Sequence, residues 1–436
     1  MIVPGKPVNP LRAGLVGLNP KGYGSVHFAA LAKLQCEGIV EIAALCDTNA
    51  AFIGEYAKNN RAVFAGNKPA FFSDYGELLV YGEKREKLDF VVLAVPLHLH
   101  TEMSVAAMRA GLHVLVEKPP AVTVRDIDAM IAVSRESGKI CAVNFQMAAG
   151  SAFRKGQNLI KEGRLGKIID ITGIGMWQRP DSYYTRSSWA GKRELDGRLV
   201  LDGVISNPLS HVLNNMILLA LAGGEPRPSG SVIGSRNGDA GMESVQAELY
   251  HAQEIEGDDT ACVLISMKGG TKLCFYATLC NESNELPFIL VQGSKGRACW
   301  DYNNRLETEI NGQKSIYDWG EENLQEKVSR SFCAAIADKK TGTGNGFLLD
   351  YGFCDLESVR ETVLAINAAH ISSGTVHAIG KEHVLRKNYE GSTATIIKGI
   401  RQAILEAEAK KVSFSNLALP WAVKGNIISI TEDFSC

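Results

Sequence analysis

Near-continuous apolar runs alternate with amphipathic helical patterns over the first 147 residues, and this alternation constrains the fold more than any other feature. The runs are "RAGLVG" (12–17), "VEIAALCD" (40–47), "DFVVLAV" (89–95), "HVLVEK" (113–118) and "ICAVNF" (140–145). Between them lie "SVHFAALAKL" (25–34), "TEMSVAAMRAG" (101–111) and "VRDIDAMIAVSRESG" (124–138). A strand that is apolar on both sides must be covered on both faces, and interposed helices supply the cover. The pattern predicts α/β architecture with a doubly wound parallel sheet.

After about residue 150 the pattern changes. "KIIDITGIGMW" (167–177), "ACVLISM" (261–267), "TKLCFYATL" (271–279), "PFILVQG" (287–293) and "GRACWDY" (296–302) read as strands. Short turns join several of them, and "KGG" (268–270) and "NGQ" (311–313) are hairpin signals, so this sheet is expected to be mainly antiparallel. Helical patterns follow at roughly 323–338, 354–374 and 394–411. A chain of 436 residues is too long for one core. The expected domains are 1–147 and 148–436, a second α/β domain, of which the last third is either a part or a third lobe.

Charge and cysteine usage exclude several function classes. The net charge is −2 and no long basic run occurs, so neither nucleic acid nor an anionic membrane is an expected partner. The ten cysteines are scattered, mostly inside apolar runs, with no C-x-x-C. They read as reduced packing thiols, and no metal site is expected. The N-terminal "MIVPGKPVNPLRAGLVG" has no apolar stretch before a cleavage site, and "MILLALAGG" (216–224) is about half the ~20 residues of a membrane span. A soluble, cytoplasmic chain is expected.

Between the first strand and the first helix stands "GLVGLNPKGYGSVH" (14–27). Gly17, Gly22 and Gly24, with Leu18 and Asn19 among them, form a loosened glycine fingerprint. Glycines here allow a tight turn and close approach of backbone N–H groups to a pyrophosphate at a helix N-terminus. A glycine-rich loop without a ligand has the same composition. Asp47 shifts the balance, because it closes the second strand, where an acid accepts hydrogen bonds from ribose hydroxyls. No Lys or Arg occurs from 48 to 57 to receive a 2′-phosphate, which favours NAD over NADP.

"LHVLVEKPPA" (112–121) ends a strand with a carboxylate, an ammonium and two prolines. Ligands of open α/β sheets sit beyond the C-terminal strand ends. Prolines after Lys118 stop the strand and fix the chain direction there. An isolated K-P-P would be a surface lysine before a loop, but this one has company. "GLNPKGYGSVH", "LCD", "AVPLHLHTEMSVAAMRAGLHVLVEKPPA" and "AVNFQ", in that order, resemble the glucose-fructose oxidoreductase / inositol dehydrogenase (Gfo/Idh/MocA) family. A looser likeness runs through "MWQRPDSYYTRSSWAGKRELDGRLVLDG" (176–203) and "EIEGDDTACVLISMKGG" (254–270), so that about residues 12 to 300 are covered.

The resemblance implies a Rossmann domain followed by an α/β domain with an open sheet that often forms the oligomer interface. A homodimer or homotetramer is therefore expected. It also implies a nicotinamide cofactor and a sugar or polyol substrate. Lys118 would be the catalytic lysine, Glu117 its neighbour near the cofactor, and Pro96 and His100 would line the nicotinamide side. Asn144 of "AVNFQ" joins the cofactor contacts.

One departure stands out. Family dehydrogenases often carry D-x-x-x-H, in which the His takes the hydroxyl proton. Here Asp202 fits the acid, but position 206 is serine, and His211 is the candidate replacement. With Asn207 as cap and Pro208 at the first helical position, a wheel places Ser206, Asn207, Ser210, His211, Asn214 and Asn215 together. That uncharged polar face would look onto a cleft or a polar interface, unless His211 is simply a satisfied buried histidine. Trp177, Arg179 and Asn207 are candidate substrate contacts, although Trp, Tyr and Arg in this run would equally suit a dimer contact. Three functions remain: an oxidoreductase acting on CH–OH groups, an NAD-assisted glycoside-cleaving enzyme, or a non-catalytic dinucleotide or sugar sensor.

Overall fold

The computed structural model describes residues 9–64, 68–83, 88–223, 241–341, 351–389, 391–431 and 434. Residues 1–8 and Cys436, which entered the reading of the N-terminus and of the cysteines, lie outside these. The chain forms two compact units. The first comprises 1–121, 125–149 and 323–359, and the second 122–124, 150–322 and 360–436.

In the first unit six parallel strands, β1 (Leu11–Val16), β2 (Val40–Cys46), β3 (Ala70–Phe72), β4 (Phe90–Leu93), β5 (His113–Val116) and β6 (Cys141–Val143), lie in the order β3-β2-β1-β4-β5-β6. Strands β4 and β5 are buried at every residue, as their unbroken apolar sequence requires. Strand order reverses between β1 and β4, which opens a crevice at their C-terminal ends. Helix α1 (Tyr23–Cys36) follows β1 directly.

A later segment returns to this unit. The strand Cys354–Asp355 adds antiparallel to β6. The helix Leu324–Thr341 buries Val328, Phe332, Cys333 and Ile336 in the core shared by Leu11, Leu15 and Phe90. Chain order alone assigns residues 323–359 to the second domain or to a third lobe, whereas the structure returns them to the first unit. Apolar faces pack by shape whatever their distance along the chain, and Phe332 meets Phe90 edge-on at 5.4 Å.

The second unit is built on a ten-stranded, mainly antiparallel sheet. Its strand Ile168–Met176 pairs parallel with Lys272–Thr278 and antiparallel with Phe288–Gly293. Hairpins turn at the expected 268–270 and 311–312. The helix Ser210–Ala222 lies on this sheet because Gly173 and Gly175 leave room. A Cβ on Gly173 would fall 2.2 Å from Met216 Sδ, and one on Gly175 2.6 Å from Leu209. The helix expected at 394–411 is divided: the β-branched "STATII" pairs as a strand (Ser392–Ile397) with Val384–Tyr389, and only Ile400–Lys410 is helical. Phe414 and Trp421 of the C-terminal stretch pack on Tyr250 within this unit. Among the described residues, no helix is long and apolar enough to cross a membrane.

Candidate functional site

The glycine loop of the first unit is set by two of its three glycines. Gly17 has φ +89°, and a Cβ there would lie 2.3 Å from the Ala94 carbonyl oxygen. A Cβ on Gly24 would lie 2.0 Å from the Gly17 oxygen, whereas one on Gly22 meets nothing closer than 3.4 Å. Gly17 and Gly24 therefore bring backbone to the strand-order switch, and Gly22 only precedes α1. Asp47 reaches back to this loop, its Oδ2 accepting from Leu18 N–H at 2.5 Å and its Oδ1 from Asn49 N–H at 2.8 Å. A carboxylate has about four lone-pair sites, so it retains capacity for ribose hydroxyls. Asn19 is exposed, and its side chain accepts from Lys21 N–H. Loop and acid together fit a dinucleotide.

Glu117 and Lys118 follow β5 and are both buried, and the Lys118–Pro119 bond is cis. Glu117 belongs to a closed ring of four buried side chains. Gln325 Nε2 reaches His27 Nδ1 at 3.0 Å. An amide N–H can only donate, so Nδ1 accepts and Nε2–H is donated to Glu117 Oε1 at 2.7 Å. Asn144 Nδ2 donates both to Glu117 Oε1 (2.7 Å) and to Gln325 Oε1 (2.8 Å), which closes the circuit. Burial works against the Glu117 carboxylate, but the bonds from His27 and Asn144 and the neighbouring Lys118 charge outweigh it, and its pKa falls below the usual value. His27 and Gln325 had no assigned role in the sequence reading. His27 is a lone polar ring in an apolar helix, a weak signal, and nothing near Gln325 marks it.

His100 is fully buried with a backbone carbonyl at each ring nitrogen, Pro119 O at 2.7 Å from Nδ1 and Val95 O at 2.8 Å from Nε2, and the neutral ring donates its one N–H to one of the two. It thereby ties the loop after β4 to the loop after β5. Burial lowers its pKa, opposed by those two carbonyls. Pro96 precedes the single turn Leu97–Leu99.

In the second unit the candidate acid is likewise held. Asp202 Oδ1 accepts from Asn207 Nδ2 and Oδ2 from Gly191 N–H, each at 2.7 Å, with Arg186 Nη2 at 3.9 Å. Ser206 closes the turn, its Oγ accepting from Gly203 N–H (2.9 Å) and donating to Leu201 O. Asn207 is thus engaged with Asp202 rather than capping a helix, and the helix begins at Ser210 with Leu209 before it. His211 lies in the first turn of that helix and is buried. The polar face at Asn214 meets the Thr362 hydroxyl at 3.0 Å.

Behind the turn lie two acids that the sequence reading passed over, although "EGDD" before an apolar strand flagged them. Asp258 Oδ2 accepts from Ile205 N–H (3.1 Å), and its carbonyl accepts from Val204 N–H (2.7 Å). A Cβ on Gly203 would fall 2.0 Å from Asp258 Oδ1. Burial first, then the charges of Asp259 and Asp202, push the Asp258 carboxyl up to about 7. Arg179 lies over the Trp177 ring (4.6 Å) and beside Tyr183 (5.5 Å), while Arg186 stacks on Tyr183 (3.7 Å) and Trp189 (5.0 Å).

Residues 11–145 match the model of an oxidoreductase family with an NAD-binding Rossmann fold, and residues 153–299 match the Gfo/Idh/MocA C-terminal domain. The chain belongs to the Gfo/Idh/MocA family. Residues 11–145 are the family's NAD-binding domain. Among solved structures, this Gfo/Idh/MocA chain is similar to an inositol dehydrogenase homolog from Azotobacter vinelandii complexed with NAD+, with a TM-score of 0.70 and 19% identity over 85% of this chain and 97% of that one. It is also similar to the WlbA dehydrogenase from Bordetella pertussis in complex with NADH and UDP-GlcNAcA, with a TM-score of 0.63 and 22% identity over 84% and 97%. At such identities the likeness carries the fold. Among curated proteins, a glycosyl hydrolase family 109 protein of Shewanella amazonensis is 28% identical over 159 residues, 36% of this chain and 34% of that protein. A family 109 protein of Shewanella sp. (strain MR-4) is 24% identical over 330 residues, 71% of this chain and 67% of that protein. The chain thus matches about a third of the first relative's length and two thirds of the second's.

Proposed function

We propose that this protein is an NAD-dependent oxidoreductase that interconverts a secondary alcohol and a ketone on a sugar, polyol or related hydroxy compound. The observation that carries the reading is the buried ammonium of Lys118, which follows a carboxylate locked by the His27–Glu117–Asn144–Gln325 ring. Bound NAD supplies a nicotinamide that accepts or gives a hydride. Lys118 would hydrogen-bond the substrate oxygen and stabilise alkoxide charge. His211, in the first turn of the helix that begins at Ser210, would exchange the hydroxyl proton. Cofactor contacts would come from Gly17, Leu18, Asn19, Gly22, Gly24, Asp47, Pro96, His100, Glu117 and Asn144, and substrate contacts from Lys118, Trp177, Arg179, Asn207 and His211.

In a screen of polyols and sugars read by NADH absorbance, Lys118→Ala should lower kcat by about 10³ while cofactor affinity stays nearly unchanged. Comparable turnover in that variant would exclude the role. A second reading is supported by the family 109 relatives and by the serine at position 206, which is taken up in a turn: transient oxidation, elimination of a glycosidic substituent, and re-reduction. Cleavage of an aryl glycoside without added NAD, and without net NADH, would select it.

A further inference from the structure

We infer that the second unit carries a binding site for a sugar acid, in which Arg179 receives the carboxylate. A cavity of about 300 Å³ lies in this unit, lined by Arg179, Ser182, Tyr183, Asn284 and Tyr389 together with Gln178 and Pro180. That volume is at the low end for ligand pockets and suits a monosaccharide.

Arg179 is set up as a receptor rather than a structural ion pair. Among the described residues it has no carboxylate partner. The arginines around it are placed otherwise: Arg386 pairs with Asp181 (2.5 Å), Arg401 with Glu285 (2.8 Å), and Arg186 lies 3.9 Å from Asp202. The Trp177 and Tyr183 rings fix the guanidinium plane. Its bonds to Gln178 O (2.9 Å) and Asn284 Oδ1 (3.2 Å) both use Nη1, and a further side-chain bond joins it to the Tyr183 hydroxyl. Of the five guanidinium N–H groups these leave two for a carboxylate.

The other walls supply hydroxyl chemistry. Tyr389 Oη accepts from Asn284 Nδ2 at 3.1 Å, which leaves its own proton for a ligand. Burial raises the Tyr183 phenol above its usual pKa, against the pull of Arg186 and Arg179, so it lines the cavity as a neutral group. Ser182 adds a third hydroxyl. One cation among neutral hydroxyls matches a singly charged, hydroxylated ligand. A phosphate dianion would leave a charge uncompensated.

Calorimetric titration of the full chain with D-glucuronate, D-glucose and inorganic phosphate tests the inference. Glucuronate should bind about tenfold tighter than glucose, the worth of one charge-assisted pair, and phosphate should not displace it. Arg179→Gln should remove that preference, Arg179→Lys should restore only part of it, and Tyr389→Phe, which leaves the arginine in place, should weaken glucuronate about threefold. Equal binding of glucuronate and glucose, a preference that survives Arg179→Gln, or displacement by phosphate would overturn it. The inference rests on the proposed function, in which Arg179 is a substrate contact, but its readout is binding without turnover, so its failure and that of hydride transfer are distinguishable.

Discussion

Glu117 in the first unit and Asp258 in the second are both cut off from water, at 6% and 1% exposure, yet their surroundings drive them in opposite directions. Burial penalises the charged form of each. Glu117 is compensated by side-chain N–H donors from His27 and Asn144, by the Lys118 backbone N–H (3.3 Å) and by the Lys118 charge, and it stays ionised. Asp258 takes the Ile205 N–H and faces Asp259 and Asp202, and its carboxyl rises to about 7. Depth does not decide the charge of a buried acid. The donors and charges within reach do, and the result here is a fixed anion at the cofactor end and a titrating group behind the Asp202 turn.

The contrast can be broken by substitution. Glu117→Leu leaves the His27 and Asn144 donors without an acceptor and should cost about 4 kcal/mol in urea unfolding; a loss under 1 kcal/mol would mean the ring contributes little. The Asp258 effect should appear as a pH slope. Its folded pKa, about 7, exceeds the unfolded value near 3.8, so its contribution is full below about pH 4 and lost as pH rises through 7. Across that window the protein should lose about 4 kcal/mol of stability that Asp258→Asn does not lose. Parallel pH curves for the two proteins would remove the proposed proton. Glu117→Gln keeps an acceptor for His27 and Asn144 while discarding the charge, and should cost only about 1 kcal/mol. The smallest effect is expected at Gly22→Ala, within about 0.5 kcal/mol, because a Cβ there has space, whereas Gly24→Ala should disrupt the loop and NADH binding. Equal effects at the two glycines would contradict the loop geometry.

Legibility in the sequence followed the range of each interaction. The strand, glycine loop, helix and acid of the nucleotide end were readable because each is a local pattern whose spacing carries its meaning. Glu117 and Lys118 stood out through the family resemblance of the whole motif set, since a strand-end K-P-P alone reads as a surface lysine. Asp202, Asn207 and His211 were singled out, but the register of their helix was not: the wheel assumed that Asn207 caps it, while the Asn207 side chain bonds Asp202 and Ser206 closes the turn. A competing side-chain partner is invisible to periodicity.

The sequence by itself determined the two kinds of sheet and the place of the glycine loop between the first strand and the first helix, since apolar period and turn chemistry act between residues close in the chain. The tertiary structure alone decided that helix Leu324–Thr341 returns to the first unit and closes the ring on Glu117 through Gln325, 298 residues from His27. It alone decided, too, that two neighbouring acids sit under the Asp202 turn. Hydrogen bonds and charges act over a few ångströms of space, and only the folded chain says which residues share that space.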